Sequence, residues 1–231
     1  MMNLLPRAAA LALCIAGLPI HLLICLLIRL QDGGPSLYRC NRLGRGGRVY
    51  TLLKYRTMRP DCKRLVRDTF KVVVDRGDSR VTRLGRLLRC GIDELPQLWN
   101  IVRGDMAWIG PRPDEAWILA HYGPAIRQRL ELAPGITGLA QVLGSRNMPA
   151  PLSYAIDIWY QRHRNFRIDL WVVAMTPLFM LGWRSAGRAR LQRLVKMTEI
   201  EEIAAACESE LVAAKRMAGQ CRAAVQENVT A

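Results

Sequence analysis

The stretch IDELPQLWNIVRGDMAWIGPRP occupies residues 92–113 and carries the clearest structural signals in the chain. Pro96 suits the first turn of a helix, because its missing N–H would have no partner there in any case. Leu95, Leu98 and Val102 recur at helical spacing and predict one buried face. The stretch therefore predicts a short helix that begins near Pro96 and ends at Gly104.

Two carboxylates and one arginine flank this helix. Asp93 and Glu94 lie at its entry, where the helix dipole favours the ionised carboxylate that a nucleophile or a metal ligand needs. A short strand predicted for residues 106–109 leads into Gly-Pro-Arg-Pro, where two prolines fix the backbone around Arg112. A guanidinium held in this way suits two-pronged binding of a phosphate. An Asp-Glu pair before a helix is also the pattern of a simple helix cap, so both interpretations stay open from these residues alone.

The whole stretch resembles the core motif of the bacterial sugar transferase family, the monotopic polyprenyl-phosphate phosphoglycosyl transferases. NRLG at residues 41–44 and LKYRTM at residues 53–58 resemble the family elements Gln-x-Arg-x-Gly and Lys-(Phe/Tyr)-Arg-Thr-Met. Cys40 stands where the family usually has glutamine. The resemblance covers roughly residues 8–182 through three further segments, PGITGLAQV (134–142), DIWY (157–160) and RIDL (167–170).

This resemblance implies an enzyme that starts glycan assembly on a lipid carrier. It would move a sugar 1-phosphate from a nucleotide sugar, by resemblance a UDP-sugar, to polyprenyl (undecaprenyl) phosphate and release UMP. The resemblance also implies Asp93 as the nucleophile of a phosphosugar-enzyme intermediate, Glu94 as a magnesium ligand or orienting group, and Arg112 as the phosphate clamp. Lys54 and Arg56 are further candidates for contact with the diphosphate. Hard oxygen ligands in a chain with few histidines suit Mg²⁺ rather than zinc, with Asp93 and Glu94 as the ligands.

Charge and cysteine content narrow the class of protein. A formal net charge of +15 and a pI near 10.2 call for an anionic partner such as a membrane surface, a nucleic acid or a phosphorylated substrate. Only 6% of residues are aromatic, and the pattern of an RNA-binding domain is absent from the sequence, so no nucleic acid partner is expected. Seven cysteines without a Cys-x-x-Cys pair argue against a disulfide framework or a zinc site and for a reducing compartment.

Residues 8–28 carry no formal charge and are bounded by Arg7 and Arg29. A straight helix of this length would measure about 31 Å, enough to cross a hydrocarbon core of roughly 30 Å. Pro19 lies in its middle, however, so a spanning helix, a re-entrant helix and a cleaved signal peptide compete. No Ala-x-Ala site follows, which argues against the signal peptide. Composition favours the spanning helix, whereas the family resemblance implies a re-entrant helix bent at Leu18-Pro19. Either topology leaves the arginine-rich body on the cytoplasmic side.

The remaining segments predict an α+β fold that is mostly helical. Residues 33–58 predict a basic β-hairpin that turns at residues 44–47. Residues 115–132 predict a helix, and residues 134–142 predict a turn into a strand. Residues 170–182 are apolar but too short to span a bilayer, which favours a helix at the membrane interface or in the core. The predicted divisions are a Pro-broken re-entrant membrane helix (1–30), a catalytic domain (31–182) and a helical tail (183–231).

The tail begins with a basic segment that could lie on anionic phospholipid: Arg184, Arg188, Arg190, Arg193 and Lys196. An apolar stripe at helical spacing follows: Ile200, Ile203, Cys207, Leu211, Ala214 and Met217. This stripe predicts a helix docked on the body, with self-association into a homo-oligomer as the second option.

We therefore expect a transferase at the bacterial inner (cytoplasmic) membrane, with its catalytic domain facing the cytoplasm. The alternative is a non-catalytic basic scaffold protein on the membrane surface, which explains the charge and the apolar segments but gives no reason for the acidic pair. No residue is tied to a particular hexose or glycan pathway.

Overall fold

The computed structural model describes residues 4–60, 62, 78–144, 148–180 and 197–230; for residues 215 and 217–230 only the backbone is described. The helices are α1 Leu4–Ala16, α2 Leu18–Asp32, α3 Arg83–Leu88, α4 Gln97–Arg103, α5 Pro124–Arg127, α6 Leu139–Val142, α7 Ala150–His163, α8 Phe166–Met180 and α9 Met197–Thr230. The strands are β1 Leu37–Leu43, β2 Val49–Tyr55, β3 Ala107–Ile109 and β4 Gly135–Thr137. Short 3₁₀ turns occupy Arg45–Gly47, Ile92–Glu94, Ala116–His121 and Gln128–Glu131. The predicted class, α+β and mostly helical with small sheets, is confirmed.

The basic hairpin forms as predicted. Strands β1 and β2 pair antiparallel, with Leu37 opposite Tyr55 and Leu43 opposite Val49. Gly46 has a φ of 68° and adopts the left-handed conformation that the turn requires and that costs glycine little. The hairpin places Lys54 near the end of β2, facing the stretch that contains Asp93 and Glu94.

The stretch 92–113 also forms the predicted elements, but the predicted buried face is wrong at Leu95, which is 37% exposed while Leu98 is buried. A 3₁₀ turn, Ile92–Glu94, precedes α4, and Pro96 stands at the N-cap position of that helix. Gly104 ends α4 with a left-handed φ of 87°, and its N–H bonds the carbonyl of Asn100. Strand β3 follows directly and leads to Gly110 and the Pro-Arg-Pro loop.

Strands β3 and β4 pair in parallel, and two glycines beside them, Gly110 and Gly138, allow their flanking loops to meet. A Cβ atom on Gly110 would overlap the carbonyl oxygen of Ala133, and one on Gly138 would overlap the carbonyl oxygen of Gly110. The glycines of the two motifs are thus required by close backbone contact. The prediction of a strand from residues 134–142 holds only for Gly135–Thr137, because residues 139–142 are helical.

The single helix predicted for residues 115–132 is wrong. The segment is divided into a 3₁₀ turn, the four-residue α5 and a second 3₁₀ turn. The break falls at Gly123-Pro124, where Gly123 is extended (φ −77°, ψ 179°), because a residue before proline is disfavoured in the helical region.

The two N-terminal helices both pack on the body. Ala10 of α1 is fully buried against α4 and its neighbours, and Arg7 donates from Nε to the carbonyl oxygen of Val102 at 2.7 Å. Ile24 and Ile28 of α2 belong to a cluster with Tyr55 and Leu88. The opposite faces of α1 and α2 are exposed and apolar: Leu4, Leu5, Leu11, Leu13, Ile15, Leu18, Ile20, Leu22, Leu23, Leu26, Leu27 and Leu30.

A bend separates these two helices at the position expected from Leu18-Pro19. Helix α1 ends at Ala16, α2 begins at Leu18, and the two axes are bent by 60°. Within the described residues no single helix combines the length and hydropathy needed to cross a membrane; only this bent pair, taken together, meets both criteria.

The C-terminal helix α9 docks on the body, as its apolar stripe predicts. Its described buried side chains are Ile200, Ile203, Cys207, Leu211 and Ala214, and most of them join the main core cluster with α7. Helix α8 buries Val172 and Met175 while Phe166, Leu170 and Val173 stay exposed. The basic segment 183–196 and the side chain of Met217 lie outside the described residues.

Candidate active site

Glu94 stands between two cations that come from distant parts of the chain. One of its oxygens, Oε1, accepts a bond from Lys54 Nζ at 2.8 Å and another from Arg112 Nη2 at 3.2 Å. Asp93 lies in the same 3₁₀ turn, close enough for Lys54, Arg112 and Arg89 to affect its ionisation. The structure thus brings together Asp93, Glu94, Lys54 and Arg112, four of the five residues that the sequence predicted for the site.

Asn100 joins α4, the helix that follows Glu94, to β2, the strand that carries Lys54. Its side chain is fully buried; Oδ1 accepts from the backbone N–H of Leu53 at 3.1 Å, and Nδ2 donates to the carbonyl oxygen of Thr51 at 2.8 Å. These bonds fix α4 against β2. No sequence pattern singled out Asn100, because it lies midway between Leu98 and Val102, on the opposite side of the helix from the face that their spacing predicts to be buried.

The hairpin braces the loop that carries Arg112. The N–H of Leu43 donates to the carbonyl oxygen of Asp114 at 2.9 Å, and Arg42 pairs with Glu115 at 3.3 Å. Arg42 also donates to the carbonyl oxygen of Pro113 at 3.5 Å. The Pro-Arg-Pro loop is therefore attached to β1, the strand that pairs with the Lys54 strand.

The ionisation of the site differs from the helix-dipole prediction. Burial raises the pKa of Asp93 above that of an ordinary aspartate, and the positive charge of Lys54 opposes this effect without cancelling it. Burial lowers the pKa of Lys54, and the neighbouring Glu94 opposes that effect. A three-residue 3₁₀ turn supplies only a small dipole, so desolvation outweighs it.

The donor set at Asp93 and Glu94 fits a hard divalent cation only in part. Among the residues that the structure describes, no group of three or more His, Cys, Asp or Glu side chains could hold a metal. Two adjacent carboxylates remain, and Mg²⁺ is commonly bound by one or two carboxylates together with substrate phosphates and water. The residues present therefore fit a magnesium ion whose remaining ligands come from a phosphorylated substrate.

Arg56 lies outside this cluster. Arg56 is 7% exposed, and its guanidinium pairs with Asp32 at the end of α2 through a 2.7 Å bond from Nη1 to Oδ2. Its Nε donates to the carbonyl oxygen of Pro35 at 2.6 Å. This pairing lowers the pKa of Asp32 to about 2. In this arrangement Arg56 joins α2 to the end of β2 and is not directed at Asp93.

Comparison with known proteins places the chain among sugar transferases. A family model described as bacterial sugar transferase matches residues 2–182. The chain is 46% identical over 132 residues to the UDP-glucose:undecaprenyl-phosphate glucose-1-phosphate transferase of Caulobacter vibrioides, covering 55% of this chain and 48% of that protein. It is 35% identical to the exopolysaccharide production protein ExoY of Rhizobium meliloti, covering 73% of this chain and 80% of ExoY.

A third relative is the UDP-galactose-lipid carrier transferase of Erwinia amylovora, which is 33% identical over 71% of this chain and 37% of that protein. The chain thus spans about half or less of the Caulobacter and Erwinia proteins, and about four fifths of ExoY.

Proposed function

This chain belongs to the bacterial sugar transferase family, and from that premise we propose that it is a phosphoglycosyl transferase. It moves a sugar 1-phosphate from a nucleotide sugar to polyprenyl phosphate and releases a nucleoside monophosphate. The observation that carries the proposal is the placement of Asp93 and Glu94 against Lys54 and Arg112, two carboxylates and two cations in one site. The names of the Caulobacter and Erwinia relatives support a UDP-sugar donor, and the Caulobacter name supports undecaprenyl phosphate as the acceptor.

Asp93 would act as the nucleophile at phosphorus. A carboxylate oxygen attacks the phosphorus that bears the sugar, the bond to the nucleotide phosphate breaks, and the nucleoside monophosphate (UMP from a UDP-sugar) leaves. The phosphate of the lipid acceptor then attacks the phosphorus of the phosphosugar-Asp93 intermediate. The second attack frees Asp93 and forms the polyprenyl-diphosphate sugar.

Lys54 and Arg112 would balance the charge that spreads over the phosphoryl oxygens during both attacks. In the structure the two cations are paired with Glu94, which keeps them beside Asp93. A bound diphosphate would compete for the same cations. Magnesium held by Asp93 and Glu94 would supply further positive charge at the phosphates when bound.

We place the chain at the cytoplasmic face of a bacterial cytoplasmic membrane, with the α1–α2 pair re-entrant in one leaflet. Supporting this, α1 is tied to the body through Arg7 and α2 through Asp32, so both ends of the bent pair meet the same body. A spanning segment would carry one end about 30 Å away. The exposed leucines between Arg7 and Arg29 then face lipid, and residues 31–182 form the catalytic body.

The identity of the released nucleotide tests the reaction. Full-length protein in lipid nanodiscs, with magnesium and polyprenyl phosphate, is given a panel of nucleotide sugars, and the nucleotide and lipid products are identified by mass. Nucleoside monophosphate together with polyprenyl-diphosphate sugar is the expected result. Release of diphosphate would indicate an ordinary glycosyl transfer at carbon, and no turnover with any donor would favour the non-catalytic scaffold.

A further inference from the structure

A buried arginine lies directly behind the Pro-Arg-Pro loop. Arg129 is 3% exposed, and its Nη2 donates to the backbone carbonyl oxygen of Arg112 at 2.9 Å and to Asp157 Oδ2 at 2.8 Å. Its Nη1 pairs with Asp114 and donates to the hydroxyl of Tyr122 at 3.0 Å. One guanidinium therefore contacts the loop on both sides of Pro113.

Stability alone is a poor reason for this arrangement. Burying a guanidinium with two carboxylates costs desolvation energy, and apolar side chains of similar volume often stabilise a core equally well. An arginine, however, presents several donors in a fixed planar fork, so it can set the position of a backbone carbonyl and a carboxylate at once. The ring of Tyr154 supports the fork, 4.6 Å from the guanidinium carbon.

We propose that Arg129 is a positioning residue for the transfer reaction, which holds Arg112 where it can bind the phosphate. The inference rests on the proposed function, because it assigns to Arg112 the task of clamping the substrate. Arg129 makes no contact with Asp93 or Glu94 among its described bonds; it acts through the backbone of residue 112 and through Asp114.

The C-terminal helix α9 also holds the segment that carries Arg129 in place. The carboxylate of Glu210 on α9 accepts the backbone N–H groups of Ala125 at 2.8 Å and Ile126 at 3.1 Å. These residues belong to α5, which leads directly into the turn that contains Arg129. Since α9 lies beyond residues 2–182, a segment outside the family match helps to support the site.

The test is a double-mutant cycle in the full-length protein. Arg129→Lys keeps a positive charge but lacks the planar fork, in which one terminal nitrogen reaches Asp114 and the other reaches Asp157 and the carbonyl oxygen of Arg112. We expect kcat/KM to fall by about 10–100-fold, the size of loss that misplacement of a binding group causes. In an Arg112→Ala background the same substitution should cost less than about twofold, because the group it positions is absent.

Tyr160→Phe is the matched control. It removes a hydroxyl that bonds Asp169 at 2.5 Å in the same core, and the described hydrogen bond of this hydroxyl does not involve the loop. It should lower the melting temperature with little loss of kcat/KM in either background. If Arg129→Lys costs the same factor in both backgrounds, or costs nothing in the wild-type background, the inference is overturned.

Asp157→Asn gives a second version of the cycle if Arg129→Lys does not fold. It weakens one anchor of Arg129 and leaves the arginine in place, so a smaller loss of about 3–10-fold is expected, again absent in the Arg112→Ala background. Wild-type protein that never turns over a nucleotide sugar would refute the proposed function and this inference with it. Active wild-type protein with equal losses in both backgrounds would refute only the inference.

Discussion

Asp93 combines the proposed nucleophile with an environment that penalises its charge. Burial raises its pKa even though Lys54, Arg112 and Arg89 all act to lower it. A folded-state pKa above the unfolded value means that the folded protein binds this proton more tightly. Ionised Asp93 therefore destabilises the fold at neutral pH, and the penalty disappears as the pH falls through the unfolded pKa.

Asp93→Asn should therefore abolish turnover without lowering stability. An amide is too poor a nucleophile to attack phosphorus, and removal of a desolvated charge should keep the melting temperature at or above that of the wild type at neutral pH. Glu94→Gln is the comparison. It breaks the ion pairs with Lys54 and Arg112, so it should lower the melting temperature and reduce turnover by about 10²–10⁴-fold. Near-normal activity of Asp93→Asn would contradict the catalytic role and show that the acidic pair is only a helix cap.

The pH range over which kcat/KM is maximal should be narrowed from both the acid and the alkaline side. The proposed mechanism requires ionised Asp93, so the acid limb should lie above the pKa of an ordinary aspartate. It also requires protonated Lys54, so the alkaline limb should lie below the pKa of an ordinary lysine. Lys54→Arg should move the alkaline limb upward, because arginine stays charged, and leave the acid limb in place. An alkaline limb unchanged by this substitution would show that Lys54 is not the group that titrates there.

The residues of the site were predictable to different degrees. Asp93, Glu94 and Arg112 lie within one continuous stretch, and Lys54 lies in a second motif, so sequence patterns reach all four. Arg56 lies in that same motif but pairs with Asp32, a contact with a residue 24 positions away that spacing cannot predict. Arg129 was missed for the same reason, since its partners lie 15, 17 and 28 residues from it.

At the scale of elements, the predictions that rest on strong local turn and helix-end signals are confirmed. The Gly-rich turn specified the hairpin, and the Pro96 and Gly104 pair specified α4. The helix predicted for residues 115–132 is wrong because Gly123-Pro124 interrupts it. The bend between α1 and α2 followed from Pro19, but the packing of α1 on α4 depends on long-range contacts that no local pattern contains.

The re-entrant topology of this bent pair can be tested with reporter cysteines in a chain cleared of its native cysteines. A cysteine at Leu5 should be protected from an impermeant thiol reagent in intact cells and labelled in inverted vesicles, as should one at the exposed hairpin residue Val49. A cysteine at Leu18, beside the bend, should resist the reagent in both preparations. Labelling of position 5 from outside intact cells would restore the spanning helix.

The contact between α9 and α5 should contribute measurably to stability. Glu210→Ala leaves two backbone N–H groups without their acceptor, a loss comparable to removal of a helix cap, about 1 kcal/mol. That corresponds to a drop in melting temperature of roughly 2–4 °C for a chain of this length. Glu208→Ala, an exposed position on the same helix, is the matched control and should change it little. Equal melting temperatures for the two variants would contradict the capping role.

At the scale of the whole molecule, the proposed reaction requires two substrates that differ in solubility. The exposed apolar faces of α1 and α2 lie beside the body that carries the acidic pair, and the net charge of +15 favours approach of anionic donors and of anionic lipid. A covalent intermediate suits this division, because a soluble donor can react and leave before the lipid acceptor enters. The same site then serves both half-reactions.

This order of events makes a prediction that a direct transfer does not. Purified full-length protein, given nucleotide sugar and magnesium without polyprenyl phosphate, should release nucleoside monophosphate in a burst of at most one equivalent per active site and retain the phosphosugar on Asp93. Addition of the lipid acceptor should discharge the labelled protein and restart release. Asp93→Asn should show neither burst nor label, while Glu94→Gln should show a slower burst of the same amplitude. If the first turnover requires the acceptor, the lipid phosphate attacks the donor directly and Asp93 serves as a base or metal ligand instead.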